Sequence, residues 1–155
     1  MKIKIGINGM GRIGRMILRS IYEGNKNIEI MHINNRTNSE TCSTLLRYDS
    51  IHGKFKADIS NDENNLIVNK NKISFGQETD LNKIDWKKYG VDYVFECTGK
   101  FNSKDKLETH LDNGAKKVIV SAPCKNADKT VVFGVNESEL NKEDKIISAA
   151  SCTTN

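Results

Sequence analysis

Apolar residues return along this chain in two rhythms. Short runs of period two or of continuous hydrophobicity, at residues 2–8, 28–33, 91–96, 117–120 and 145–148, read as strands. Between them, positions spaced three to four apart read as helices over 12–23, 39–48 and 103–112. The first helix is expected to place Ile13, Met16, Ile17 and Ile21 on one side and to stop at Gly24; the last starts at a Ser103 cap, ends at Asn113-Gly114 and turns His110 to solvent. His32, within the second strand, is expected to be a packed or edge histidine rather than a ligand, and Cys42 a small buried apolar group. Residues 84–89 suggest a short helix closed by Gly90, 131–134 a further strand and 137–141 another short helix. Only between 54 and 78 does the rhythm change, where Phe55, Ala57, Ile59, then Leu66 to Val68, then Ile73 and Phe75 alternate across polar turns like two or three antiparallel strands.

Strands that alternate with helices call for a parallel sheet joined by right-handed crossovers. The expected fold class is therefore α/β: a doubly wound, mostly parallel sheet of Rossmann type with a small antiparallel insertion. The first strand-to-helix junction carries Gly9-Met10-Gly11-Arg12-Ile13-Gly14. In that context Gly9 makes the tight turn, Gly11 lets backbone approach a pyrophosphate, and Gly14 lets the helix pack closely on the strand. The helix amides and dipole then hold an anion without a basic side chain. Cys97-Thr98-Gly99 and Ser121-Ala122 follow later strands, at the strand ends where open α/β sheets contact ligands. About twenty residues beyond Gly14, where such folds usually place a carboxylate for the adenosine ribose, this chain has Asn35 followed by Arg36. Asn35 would not repel a 2′-phosphate and Arg36 is able to pair with one; alternatively Asn35 bonds the ribose and Arg36 faces water.

Composition narrows the function without supplying it. At 155 residues, 37% hydrophobic and 28% charged, the chain is one ordinary globular domain. Its 24 basic and 20 acidic residues are scattered, which gives no stripe for nucleic acid. No apolar run is long enough for a membrane span, and the four cysteines have no metal-ligand spacing, so no metal, membrane or nucleic-acid partner is expected and the setting reads as cytoplasmic.

The last residues add a nucleophile. Cys152 sits just after a strand, where incoming helix amides favour a thiolate, with Ser151 and Thr153 as hydroxyls for an oxyanion or phosphate. Residues 6–15 (GINGMGRIGR), 46–53 (LRYDSIHG), 97–99 (CTG), 121–123 (SAP) and 150–155 (ASCTTN) together closely resemble phosphorylating glyceraldehyde-3-phosphate dehydrogenases. The resemblance covers the whole chain and looks like the amino-terminal half of such an enzyme: residues 1–150 as NAD(P)-binding domain and 151–155 as the start of a truncated catalytic domain. It implies NAD or NADP as cofactor, a phosphorylated aldehyde and inorganic phosphate as substrates, and a homo-oligomer at full length. It also implies a Cys152 thiohemiacetal and thioester, backbone contacts of Arg12 and Ile13 to the pyrophosphate, Thr98, Gly99 and Ser121 lining the nucleotide cleft, and Ser151 and Thr153 at the phosphate.

Several positions depart from the family pattern. Asn35 replaces an aspartate, Thr79 stands where an arginine is common, and Cys97 replaces a serine. The family's catalytic histidine is matched by none of His32, His52 and His110. The 155-residue chain alone is accordingly expected to be inactive. Two other readings share most of these motifs: an erythrose-4-phosphate dehydrogenase, and a dinucleotide-binding module without chemistry.

Overall fold

The computed structural model describes residues 2–24, 27–151 and 153–154. Strand β1 (Ile3–Asn8) runs through the glycine turn into helix α1 (Arg12–Gly24) and returns as β2 (Ile28–Asn34), parallel to β1. Helix α2 (Ser39–Arg47) follows, started by Asn38, whose side chain accepts from the Thr41 amide at 2.9 Å. After a small hairpin of β3 (Tyr48–Asp49) and β4 (Gly53–Lys54) come β5 (Ile59–Asp62), β6 (Asn65–Val68) and β7 (Asn71–Gly76). The chain closes with β8 (Tyr93–Glu96), α3 (Lys104–Asp112), β9 (Lys117–Val120), β10 (Lys129–Thr130) and β11 (Ile146–Ser148).

These strands form a sheet ordered β10-β11-β9-β8-β1-β2-β7-β6-β5, with β3 and β4 apart. From β11 to β7 every pairing is parallel; β6 and β5 extend the edge antiparallel. The expected antiparallel insertion is thus real but does more than interrupt. Its third strand, β7, doubles back onto β2 and becomes part of the parallel core. The hairpin of β3 and β4 had no periodic signal, because two-residue strands carry none.

Side-chain alternation distributes the core over both faces. Ile5, Ile7, Ile30 and Ile33 pack on one side with Leu18 of α1 and Leu46 of α2, and Val94 packs on the other with Trp86 and Ala115. Val118, Val120 and Ile146 join Leu107 of α3. Gly6 faces Trp86 so closely that a Cβ there would lie 2.4 Å from the indole. In β2 the register shifts by one residue opposite Ile5 and Gly6, and His32 stacks on Tyr89 with ring centroids 3.9 Å apart.

Five local expectations are corrected. Helix α1 buries Gly14, Leu18 and Arg19, with Ile17 and Ile21 packed beside them, while Ile13 is 48% exposed. The close seat of Gly14 rotates the helix toward the sheet by its smallest residue. After a 3-10 turn at Leu81–Lys83, residues 84–85 are irregular and 86–90 are turns, with Trp86 buried against Gly6. The strand expected at 131–134 forms two residues earlier, as β10, and leaves Phe133 86% exposed; the helix after it is only a 3-10 turn at Glu137–Glu139. Finally, His110 is fully buried rather than solvated, because its ring bonds both Trp86 and Glu96.

Candidate functional site

The glycine turn is held by contacts that only glycine permits. Gly9 has φ +97°, and a Cβ on it would sit 2.8 Å from the Thr98 amide nitrogen. A Cβ on Gly14 would lie 2.1 Å from the Gly9 carbonyl oxygen, so helix and turn touch directly. At Gly11 the same construction meets nothing within 4 Å, which leaves open space beside bare backbone. The first helical bond runs from Arg15 N–H to Gly11 O at 3.1 Å; the amides of Arg12, Ile13 and Gly14 precede it and have no intrahelical acceptor. No acidic residue occupies that first turn, so the positive end of α1 is not neutralised.

Beside the turn, at the carboxyl ends of β1, β2 and β8, lies a cavity of about 240 Å³. Gly9, Gly11, Asn35 and Thr98 line it, as do Arg36, Thr79 and Cys97. Arg12, Ile13, Gly14, Gly99 and Ser121 lie outside its lining. Gly99 turns with φ +70° directly after Thr98, and Ser121 donates its amide to Glu96 O at 3.0 Å, one strand further along the same edge. Leu81 and Phe101 supply an apolar wall that the sequence did not single out, since both come from irregular segments.

Asn35 is anchored before any ligand arrives. Its Oδ1 accepts the Met10 amide at 2.9 Å, and its Nδ2 donates to Thr37 Oγ1 at 2.6 Å and to Cys42 Sγ at 3.2 Å. The Met10 donor fixes which way the amide faces. One Oδ1 lone pair is left for a ribose hydroxyl, and the side chain at position 35 itself carries no charge to oppose a 2′-phosphate, while Glu78 lines the same cavity from just past the end of β7. Arg36 is exposed at the cavity rim.

The floor of the site is polar and buried, and sequence reasoning missed it. Asn8 Nδ2 donates to Glu96 Oε2 at 2.6 Å, Asn34 Nδ2 to Asn8 Oδ1 at 2.8 Å, and Thr98 N–H to Glu96 Oε1 at 2.8 Å. The available signal was a lone glutamate ending an otherwise apolar strand.

Burial shifts all three described thiols away from the thiolate. Desolvation raises Cys42 and Cys124, and pushes Cys97 up to about 12, with the Glu96 charge adding to it. Cys152 lies outside the described residues. Next to it, Ser151 Oγ meets Thr153 Oγ1 at 3.1 Å and Thr154 Oγ1 at 2.6 Å, a hydroxyl cluster after β11. Because β11 is parallel to β9, β8 and β1, that cluster leaves the sheet at the edge where the glycine turn stands. Three strand spacings, about 14 Å, separate β11 from β1.

Among the described residues no group of three His, Cys, Asp or Glu is placed to hold a metal, and no helix is long and apolar enough to cross a membrane. A parallel doubly wound sheet with a glycine turn feeding a helix, and a cavity at its strand ends, defines a dinucleotide-binding domain. Residues 3–104 match the family described as "Glyceraldehyde 3-phosphate dehydrogenase, NAD binding domain", and the chain belongs to that family. It is 50% identical over 153 residues to the glyceraldehyde-3-phosphate dehydrogenase of Thermotoga maritima, covering 98% of this chain and 46% of that protein. Identity is 46% over 156 residues to the enzyme of the same name from Geobacillus stearothermophilus, covering 100% of this chain and 46% of that protein. For the one from Mycoplasma pneumoniae it is 47% over 154 residues, 99% of this chain and 45% of the relative. The chain thus spans about half the length of the curated relatives it matches.

Proposed function

We propose that this chain is the cofactor-binding part of a phosphorylating glyceraldehyde-3-phosphate dehydrogenase, with residues 1–150 holding NAD or NADP and 151–155 opening a catalytic domain. The observation that carries this reading is the junction of Gly9, Gly11 and Gly14 with the amide end of α1, open at Gly11 and flanked by the cavity. In this reading the pyrophosphate would take the amides of Arg12 and Ile13, the adenosine ribose the remaining lone pair of Asn35, and Thr98, Gly99 and Ser121 would line the nucleotide cleft, as the resemblance implies. Bound NAD or NADP supplies a hydride acceptor.

In the whole enzyme, the Cys152 thiolate adds to the aldehyde carbon and the carbonyl oxygen becomes a thiohemiacetal oxygen. Loss of hydride leaves a thioester on Cys152; phosphate oxygen then attacks its carbonyl, the C–S bond breaks, and the acyl phosphate departs as the thiolate is restored. In this reading the hydroxyls of Ser151 and Thr153 donate to the attacking phosphate, as the resemblance implies. A homo-oligomer, implied by the resemblance, and a cytoplasmic setting, read from the spacing of the cysteines and the hydropathy of the chain, accompany the reading.

The test is an assay of the full-length protein with glyceraldehyde 3-phosphate, erythrose 4-phosphate, phosphate and either cofactor. Phosphate-dependent reduction that is fastest with glyceraldehyde 3-phosphate and abolished by Cys152→Ser is expected. Preference for erythrose 4-phosphate would reassign the substrate, and activity surviving Cys152→Ser would remove the mechanism. The 155-residue chain alone is expected to turn nothing over.

A further inference from the structure

Behind the cavity wall, and outside its lining, three fully buried polar side chains connect in series. Trp86 Nε1–H donates to His110 Nδ1 at 2.9 Å, which places the imidazole proton on Nε2, and Nε2 meets Glu96 Oε2 at 3.0 Å. Glu96 Oε2 also accepts the Asn8 amide, while Oε1 accepts both the N–H and the hydroxyl of Thr98. Four donors thus converge on one carboxylate, which an uncharged side chain of the same shape is unable to satisfy.

Both ends of this arrangement are cavity walls. The Thr98 peptide that Glu96 grips is the one Gly9 is seated against, so its position sets that of the glycine turn. Through Asn8, the grip passes to Asn34, whose amide group brackets the opposite wall by accepting Glu78 N–H at 2.8 Å and donating to Glu78 O at 2.9 Å. Packing alone gives no reason for this, since apolar side chains fill a core without the desolvation cost of a buried ion.

We propose that Glu96 and His110 are positioning residues of the dinucleotide cleft, with Trp86 setting the tautomer of His110. The proposal rests on the dinucleotide reading given above. Neither residue reaches the ligand: His110 holds Glu96, and Glu96 holds Thr98 and Asn8 where the turn and both walls need them.

The test compares His110→Gln, whose amide retains a donor for Glu96, with His110→Met, which fills similar volume and donates nothing. NAD+ affinity of the 155-residue chain is measured by calorimetry, and stability by urea unfolding. His110→Met is expected to weaken NAD+ about tenfold, the worth of one hydrogen bond to a charged group, and His110→Gln to stay within about threefold of the parent. Parent-like affinity in a folded His110→Met chain would overturn the proposal, and so would losses in both variants that follow only their stability. A second measurement needs no variant. Trp86 is the single tryptophan, so its indole N–H gives one NMR resonance, which is expected to shift as NAD+ saturates the parent chain; an unmoved resonance at saturation would overturn the proposal even if His110→Met fails to fold. Absence of any NAD+ binding to the parent would instead remove the dinucleotide reading and this proposal with it.

Discussion

Asn35 concentrates the chemistry of cofactor choice in one side chain. An aspartate there would keep the Oδ1 bond to Met10 N–H but lose the donor that now reaches Cys42 Sγ, and would set a negative charge where a 2′-phosphate rests. Asn35→Asp is therefore expected to weaken NADP at least about tenfold more than NAD, measured as two dissociation constants on the same protein. Equal loss of both would separate Asn35 from the choice. The sequence named this position from its distance beyond Gly14, and the structure adds that the amide is already bonded on both of its atoms. His110 was misread at the same scale. Helical spacing says which residues share a face but not what lies opposite that face, and opposite His110 stand Trp86 and Glu96, from segments 24 and 14 residues away.

At the scale of elements, α1 is the piece that ties the site to the fold. Gly14→Ala would drive a Cβ into the Gly9 carbonyl, so the helix must back away and carry its amides with it. The expected result is a loss of about 1–3 kcal/mol in urea unfolding together with a marked fall in affinity for ADP-ribose, whose pyrophosphate needs those amides. On the far side of the helix, buried Arg19 donates to Leu46 O at 2.8 and 3.1 Å and to Gly53 O at 2.9 Å, joining α1 to the end of α2 and to β4. Arg19→Leu removes the guanidinium donor from those carbonyls, at a cost of about 2–3 kcal/mol. Hydrogen exchange should show α2 and the hairpin of β3 and β4 losing protection before the central strands do. Element type was readable wherever the repeat ran for two turns or four strand residues. It was unreadable at residues 84–89 and 131–134, where burial of Trp86 and pairing of Lys129 with Ile147 override the local pattern.

The stability of the whole molecule carries a mark from His32. Buried among Tyr89 and Trp86, its imidazole is pushed down from 6.5 to about 4, mainly by loss of water and further by the Lys88 charge. The unfolded chain therefore takes up a proton between pH 6.5 and 4 that the folded chain refuses, so stability falls as pH drops through that window and the loss levels off below it. The full effect is on the order of 3 kcal/mol, and His32→Phe is expected to flatten that part of a urea-midpoint profile against pH. An unchanged slope in the variant would assign the acid sensitivity to other groups.

By itself the sequence determined the alternation of strand and helix, the glycine turn, and the polar break at Asn35, because each is written in residues close together along the chain. Only the tertiary structure decided that β7 enters the parallel core, that α1 seats Gly14 and Leu18 on the sheet and turns Ile13 outward, and that Glu96, His110 and Trp86 meet behind the cleft. Local periodicity fixes what an element is. The partner across a sheet or beneath a helix is set by contacts between segments far apart in the chain, and those exist only once it has folded.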